Sequence, residues 1–267
     1  MDWEALAALR LQIEFGADEA LEDEPVNRLR PPPASAPVAV AVRTRVAAPP
    51  ITVAPRTPAV PTAHMTAAAR AADVTAAAVT LDALYTAIAN FDGCALRDTA
   101  TQPVLPAGDP TAGLLVIGEP PSAEDDRAGR PFAGPAGGTL DRMLASIALD
   151  RSKLLLAPLI PWRPPGNRPP TAAEVAICLP FLHRLIQLSA PRRVVLLGTL
   201  AARTLLATTR RRVPAWAELV LPGTAGGFPV LGMPAPAAVA QGPGERRTAW
   251  VALRLLRRAL DADHAQM

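Results

Sequence analysis

The chain has 267 residues, a formal net charge of +3 and 50% hydrophobic residues, enough apolar sequence for one sizeable folded domain. Its 31 prolines and only 4% aromatic residues indicate that part of it stays unfolded. No apolar run approaches the roughly 18 residues of a membrane span, and two cysteines cannot supply the disulfide framework of a small secreted protein. The first residues are acidic and lack a basic segment before an apolar run, so we expect no secretory signal and a cytoplasmic protein.

The first 66 residues are predicted to lie outside the folded domain. Residues 1–29 place Trp3, Leu6, Leu9 and Ile13 near helical spacing and predict an acidic amphipathic helix that could dock on a protein partner. Residues 30–66 are rich in proline and alanine without periodicity, which is typical of a disordered linker. We expect the folded domain to span 67–262, followed by a tail at 263–267.

Beyond the linker, apolar runs alternate with helical patterns. Helical patterns cover 81–88, 140–147, 172–188, 199–206 and 245–260. Four short apolar runs predict buried strands: Leu114–Gly118, Leu154–Ile160, Val194–Gly198 and Pro229–Met233. This alternation predicts an α/β fold, a three-layer α/β/α sandwich around a four-stranded parallel sheet. The working site of such a sheet lies at the carboxyl ends of its strands.

Charge is unevenly distributed along the chain. Residues 1–30 hold eight acids and three arginines, a net charge of −5, so the rest carries +8. An arginine-rich second half favours an anionic partner, DNA first, and a nucleoid-associated location. The alternative is a composition bias that writes arginine for lysine, since Lys153 is the only lysine.

Two loops at the predicted strand ends carry a recognisable pattern. The first, 118–134, contains Gly-Glu-Pro-Pro-Ser, an acidic stretch and Gly-Arg-Pro-Phe-Ala-Gly. The second, 162–168, reads Trp-Arg-Pro-Pro-Gly-Asn-Arg. In this order they resemble family 4 uracil-DNA glycosylases, which carry Gly-Glu-Ala-Pro-Gly, an acidic stretch, Gly-Arg-Pro-Phe-Val-Gly and Arg-Pro-Pro-Gly-Asn-Arg. The resemblance covers residues 84–260 and implies the fold of that superfamily and membership of the DNA base-excision repair enzymes.

The resemblance implies roles for the first loop. The family flips a uracil out of DNA and hydrolyses its N-glycosidic bond. Phe132 matches the ring that stacks on the base, and Glu119 matches the motif carboxylate, with Gly118 and Pro120 beside it. The alternatives are a core phenylalanine and a solvated loop acid. The acids at 124–126 are predicted to form a solvated turn.

Two further positions depart from the family. Pro158 stands where the family has its uracil-reading asparagine, and proline offers neither a side-chain amide nor a backbone donor. Met233 stands where a histidine stabilises the departing uracil anion, and methionine cannot donate a hydrogen bond to an anion. We therefore expect uracil excision to be weak or lost. The alternative is a non-catalytic module on the same fold that binds DNA or a protein.

The cluster ligands of the family are also incomplete. Many members hold a [4Fe-4S] cluster on four cysteines. Here Cys94 and Cys178 occupy two of those positions, and Phe91 and Trp162 occupy the others. We expect buried relict cysteines, no metal site and no cofactor.

Several arginines are candidates for DNA contact. The run Arg210, Arg211 and Arg212 suggests a phosphate clamp, although such runs are more often solvated loops, and Arg246 is a weaker candidate. The partners expected are DNA and, through the N-terminal helix, a protein; we expect a monomer with no membrane association.

Overall fold

The computed structural model describes residues 66–206, 215–224 and 226–265. The predicted N-terminal helix at 1–29, the predicted linker up to residue 65 and the run from Arg210 to Arg212 lie outside the described residues. Within the described parts, the helices are α1 (Ala67–Ala77), α2 (Leu81–Asn90), α3 (Leu96–Thr99), α4 (Ala123–Ala128), α5 (Pro135–Ala145), α6 (Ala172–Ser189), α7 (Thr199–Leu206), α8 (Pro236–Gln241) and α9 (Pro243–Ala265). The strands are β1 (Ala107–Gly108), β2 (Leu114–Ile117), β3 (Leu155–Ala157), β4 (Arg193–Leu197), β5 (Trp216–Val220) and β6 (Gly227–Met233).

The strands form a six-stranded sheet in the order β1-β3-β2-β4-β6-β5. The four central strands, β3, β2, β4 and β6, pair in parallel, which confirms the predicted parallel sheet. β1 and β5 add one antiparallel strand at each edge, paired with β3 and β6 respectively. These edge strands were not predicted.

Alternate residues of the central strands build two separate cores. Leu115, Ile117 and Leu196 face a cluster that includes residues of α1, α2 and α6. Val116 and Val195 face the other cluster, which includes residues of α5, α8 and α9. Helices thus cover both faces of the sheet, as expected for a parallel sheet whose strands are buried on both sides. The three-layer sandwich is confirmed.

Helix α6 is the one described helix long and apolar enough to cross a membrane. One side of it is buried in the first core, through Cys178, Phe181, Leu182, Leu185 and Ile186. Its start is closed by a capping box, in which the Thr171 hydroxyl accepts from the Glu174 backbone N–H and the Glu174 carboxylate accepts from the Thr171 N–H. These features are those of a core helix.

The parallel strands end together at one edge of the sheet. Gly118 follows β2, Pro158 follows β3, Gly198 follows β4 and Pro234 follows β6. The first motif loop therefore opens at the same edge as the residues that depart from the family pattern. Helix α9 continues to Ala265, beyond the domain end expected at residue 262.

Candidate functional site

A cleft of about 200 Å³ opens at the carboxyl edge of the central strands. Of the site residues expected from the sequence, Glu119, Pro120, Phe132 and Pro158 line it. The remaining lining comes from Ser122, Glu124, Asp125, Pro131, Gly134, Pro135, Ala136, Leu197, Ala235, Pro236 and Ala237. The two motif positions that the resemblance assigns to base stacking and to the carboxylate thus share one cavity.

Phe132 is held in place by the backbone around it. Its φ is 56°, in the left-handed region that non-glycine residues rarely adopt. Its ring lies over Gly118, where an added Cβ would stand 2.5 Å from the ring carbon Cζ. Arg151 Nη2 donates to the Phe132 carbonyl at 2.9 Å, and Arg151 is itself paired with Asp141 through Nε at 2.6 Å. The ring is therefore fixed before any ligand arrives.

The acidic stretch is structural, which contradicts the predicted solvated turn for two of its three members. Asp125 closes a capping box with Ser122 at the start of α4 and accepts from the Ala133 backbone N–H at 2.6 Å. Asp126 is only 3% exposed and accepts from the N–H and the hydroxyl of Thr101. A run of acids suggests solvation by composition, but these carboxylates satisfy backbone donors that would otherwise be unpaired.

Glu119 is the one cleft carboxylate that no described hydrogen bond or ion pair engages. The residue as a whole is exposed, but its carboxylate end packs on the backbone of Gly198, which has a φ of 94°. Partial burial raises the pKa of Glu119 above its ordinary value. Because no described group competes for it, this carboxylate is free to act on a ligand or a water.

The two departures from the family lie in different surroundings. Pro158 is buried and lines the cleft directly. Met233 does not line it: this last residue of β6 pairs with Leu197 and turns its buried side chain into the second core. The chain reaches the cleft only at Ala235. The structure therefore brings Pro158 to the site and leaves the Met233 side chain behind it.

The second motif loop is held in shape by hydrogen bonds among its own residues and with the start of α6. Arg163 Nε donates to Asn167 Oδ1 at 2.7 Å across a tight turn. Arg168 donates through both terminal nitrogens to the Glu174 carboxylate, at 2.9 and 2.5 Å. This pairing lowers the pKa of Glu174 to about 2. The loop residues Arg163, Asn167 and Arg168 do not line the cleft.

Comparison with known proteins agrees with this geometry. The family model of the uracil DNA glycosylase superfamily matches residues 105–257, more than half of the chain. The chain belongs to the uracil DNA glycosylase superfamily.

Individual relatives in the superfamily are moderately similar. A type-4 uracil-DNA glycosylase of Pyrobaculum aerophilum is 36% identical over 132 residues, covering 49% of this chain and 67% of the relative. A type-4 uracil-DNA glycosylase of Archaeoglobus fulgidus is 37% identical over 124 residues, or 46% of this chain and 62% of the relative. One of Thermotoga maritima is 35% identical over 108 residues, or 40% and 56%. The chain thus spans a little over half to two thirds of the length of these relatives.

The four positions that the resemblance assigns to an iron–sulfur cluster carry two cysteines and two aromatic residues. Cys94 and Cys178 are free thiols and both are buried. The interaction between the two thiols lowers the pKa of Cys94 to about 7 and, with burial, raises the pKa of Cys178. The other two positions are aromatic: Phe91 stacks on Trp162 with ring centroids 6.3 Å apart, and Phe181 meets both rings edge-on.

Two thiols and two apolar rings do not fit a [4Fe-4S] cluster, which needs four thiolate ligands. Within residues 66–206, 215–224 and 226–265, no group of three or more His, Cys, Asp or Glu residues could hold a metal ion. The indole Nε1 of Trp162 is buried with no hydrogen-bond partner, so the rings fill this volume at the cost of one unsatisfied donor.

Three residues that support the cleft were not assigned that role from the sequence. Arg151 lies in a single turn of 3-10 helix and pairs with Asp141 ten residues earlier, a spacing that no local pattern marks. Gly198 supports Glu119 from another strand, which only the sheet order reveals. Asp125 did carry a signal, because Ser122-x-x-Asp125 has the spacing of a capping box.

Proposed function

We propose that this chain is a DNA-repair protein of the uracil-DNA glycosylase type that accepts an extruded base in its cleft and excises uracil weakly or not at all. The observation that carries the proposal is the shared cavity: Glu119 and Phe132 line it together, and Pro158 occupies the wall between strand ends where the family places an amide.

Three features support binding of an extruded base. The Phe132 ring is fixed and half-buried, so stacking on it requires little reorganisation. Gly134, Pro135 and Ala136, at the N-terminus of α5, line the same cleft. A helix N-terminus favours negative charge such as a DNA phosphate. The relatives named above are uracil-DNA glycosylases.

Two features support weak or absent excision. Pro158 has no donor for the base edge, so the cleft loses the hydrogen bond by which the family discriminates uracil. The Met233 side chain is in the core and cannot stabilise a departing anion. Loss of one such donor alone typically lowers the rate by about 10²–10³.

A second candidate is a glycosylase that acts through Glu119 alone. The specific observation in its favour is the unengaged Glu119 carboxylate in the cleft, with its raised pKa. A third is a non-catalytic DNA-binding or protein-binding module, the alternative that follows if neither base binding nor excision is found.

Binding and excision can be measured separately. Fluorescence anisotropy with duplexes in which one uracil is either mismatched or paired with adenine tests base binding, because a mismatched base is extruded more easily. Phe132→Ala is the matched variant. We expect tighter binding of the mismatched duplex by the wild type and equal binding of both by Phe132→Ala. Equal binding by the wild type would exclude base capture and favour the module. Abasic-site formation on the same duplexes, read after alkali, distinguishes the two enzyme hypotheses.

We also propose that the chain carries no iron–sulfur cluster. The aromatic packing of Phe91, Trp162 and Phe181 supports this. Iron and sulfide analysis after anaerobic reconstitution tests it, with the Cys94→Ser variant as control. We expect background iron in both proteins; stoichiometric iron and sulfide in the wild type that disappears in the variant would contradict the proposal.

A further inference from the structure

We infer that the outer face of helix α9 is a second contact surface for DNA, separate from the cleft. The inference rests on the proposed DNA-repair function and assigns the surface to a part of the chain outside the motif loops.

Helix α9 is strongly two-sided. Ala249, Ala252, Leu253 and Leu256 are buried in the second core. The residues at 247, 250, 251, 254 and 258 lie on the opposite side, since a helix turns once in about 3.6 residues. We call Arg247, Trp250, Val251, Arg254 and Arg258 the α9 basic face; all five are exposed.

This face presents both charge and an uncovered ring. Trp250 is 47% exposed and Val251 is 41% exposed, an unusual position for large apolar side chains. Among the described residues, no hydrogen bond or ion pair engages the side chains of Arg247, Arg254 and Arg258. By contrast, Arg257 on the flank donates to the Ile147 carbonyl at 3.2 Å and pairs with Asp261 at 2.6 Å.

The chain passes directly from the cleft into α9, which then runs toward the opposite edge of the sheet, where Asp263 pairs with Arg193 at the start of β4. Helix α8 contributes Pro236 and Ala237 to the cleft lining, and Gly242 alone separates α8 from α9. From Arg247 the row runs eleven residues to Arg258, about 16 Å along the helix axis. That length spans roughly five base pairs of duplex, at about 3.4 Å per step.

DNA is the partner that matches this chemistry. Guanidinium groups neutralise phosphates along a strand, and an exposed indole offers a surface on which a base or sugar packs. Val251 beside Trp250 adds apolar surface that phosphate contacts alone would not need. The combination suits a DNA strand, which offers phosphates beside base and sugar surfaces.

Salt dependence of DNA binding tests the inference. The full chain is titrated with a fluorescent duplex at several salt concentrations, beside the double variant Arg254→Ala/Arg258→Ala. The slope of log K against log salt, where K is the association constant for DNA, is negative, and each lost phosphate contact reduces its magnitude by about 0.9. We therefore expect the slope of the double variant to be smaller in magnitude by about 1.8. The control is Arg97→Ala, which removes an exposed arginine of α3 and leaves the slope unchanged.

A second variant tests the ring. Trp250→Ala removes stacking but no charge, so we expect affinity to fall about fivefold or more with the slope unchanged. An unaltered slope in the double variant, with salt-dependent binding retained, would overturn the α9 surface and leave the proposed function standing. Absence of any salt-dependent binding by the wild type would overturn both. If the double variant loses binding to anionic phospholipid vesicles but binds DNA as the wild type does, the face belongs to a membrane surface and the inference is refuted.

Discussion

Phe132 shows how single residues define this site. Its left-handed backbone is stabilised by the Arg151 hydrogen bond to its carbonyl. That carbonyl lies so close to Gly137 that a Cβ added there would stand 2.0 Å from the carbonyl oxygen. Asp125 anchors the next residue, Ala133, from the other side. The backbone of Phe132 and Ala133 is thus positioned by contacts from separate segments of the chain. Gly118 leaves room for the ring and Gly137 leaves room for the carbonyl.

Gly118→Ala is predicted to displace the Phe132 ring. The added methyl group would stand 2.5 Å from ring carbon Cζ, so the ring must move off the cleft wall. We expect the preference for a duplex with a mismatched uracil over one with a paired uracil to disappear while general DNA binding remains. The control is Gly242→Ala, where an added Cβ meets nothing within 4 Å. Loss of the preference in both variants would contradict the role assigned to the ring.

The second residue-scale prediction concerns Glu119 and pH. Its pKa in the folded protein lies above the ordinary value of 4.5, so the folded state binds the proton more tightly than the unfolded state. The stability that Glu119 contributes is therefore greatest at acid pH and is lost as the pH rises through the raised pKa. Denaturant unfolding of wild type and Glu119→Gln at a series of pH values checks this. We expect the wild type to lose stability relative to Glu119→Gln as the pH rises. A wild type that instead gains stability relative to the variant would show that the carboxylate has a favourable partner.

At the scale of elements, the four central strands and their covering helices were predictable because each apolar run is buried on both faces and reads as continuous hydrophobic sequence. β1 has only two residues, and β5 includes the exposed Glu218, so neither carries an apolar run. The pairing of β1 depends on β3, which lies far along the sequence, whereas β5 pairs with the next strand, β6.

The element-scale prediction concerns the aromatic cluster between α2, α6 and the second motif loop. Trp162 is 1% exposed and contacts both Phe91 and Phe181. Trp162→Ala is predicted to lower the free energy of unfolding by about 3–5 kcal/mol through loss of packing and the cavity left behind. Trp162→Phe should cost less, because it also removes the unpartnered Nε1. Denaturant unfolding measures the loss of unfolding free energy in Trp162→Ala and Trp162→Phe. Equal losses in the two variants would indicate that the indole is hydrogen-bonded in solution.

At the scale of the whole molecule, the sequence located the cleft because motif loops follow parallel strands, and parallel strands end at one edge. Glu119, Phe132 and Pro158 meet there although up to 39 residues separate them along the chain. The position of Met233 was not predictable in the same way. A match by motif order fixes a place at the end of a strand but not the face toward which the side chain turns, and here that face is the core.

The central claim is that the cleft retains the scaffold for an extruded base but lacks groups to read it and to release it. Uracil excision from a defined fluorescent duplex, measured for the wild type and for Pro158→Asn, which returns an amide to the cleft wall, tests this most directly. We predict negligible abasic-site formation by the wild type and a measurable gain in Pro158→Asn. Robust excision by the unmodified protein would contradict the account.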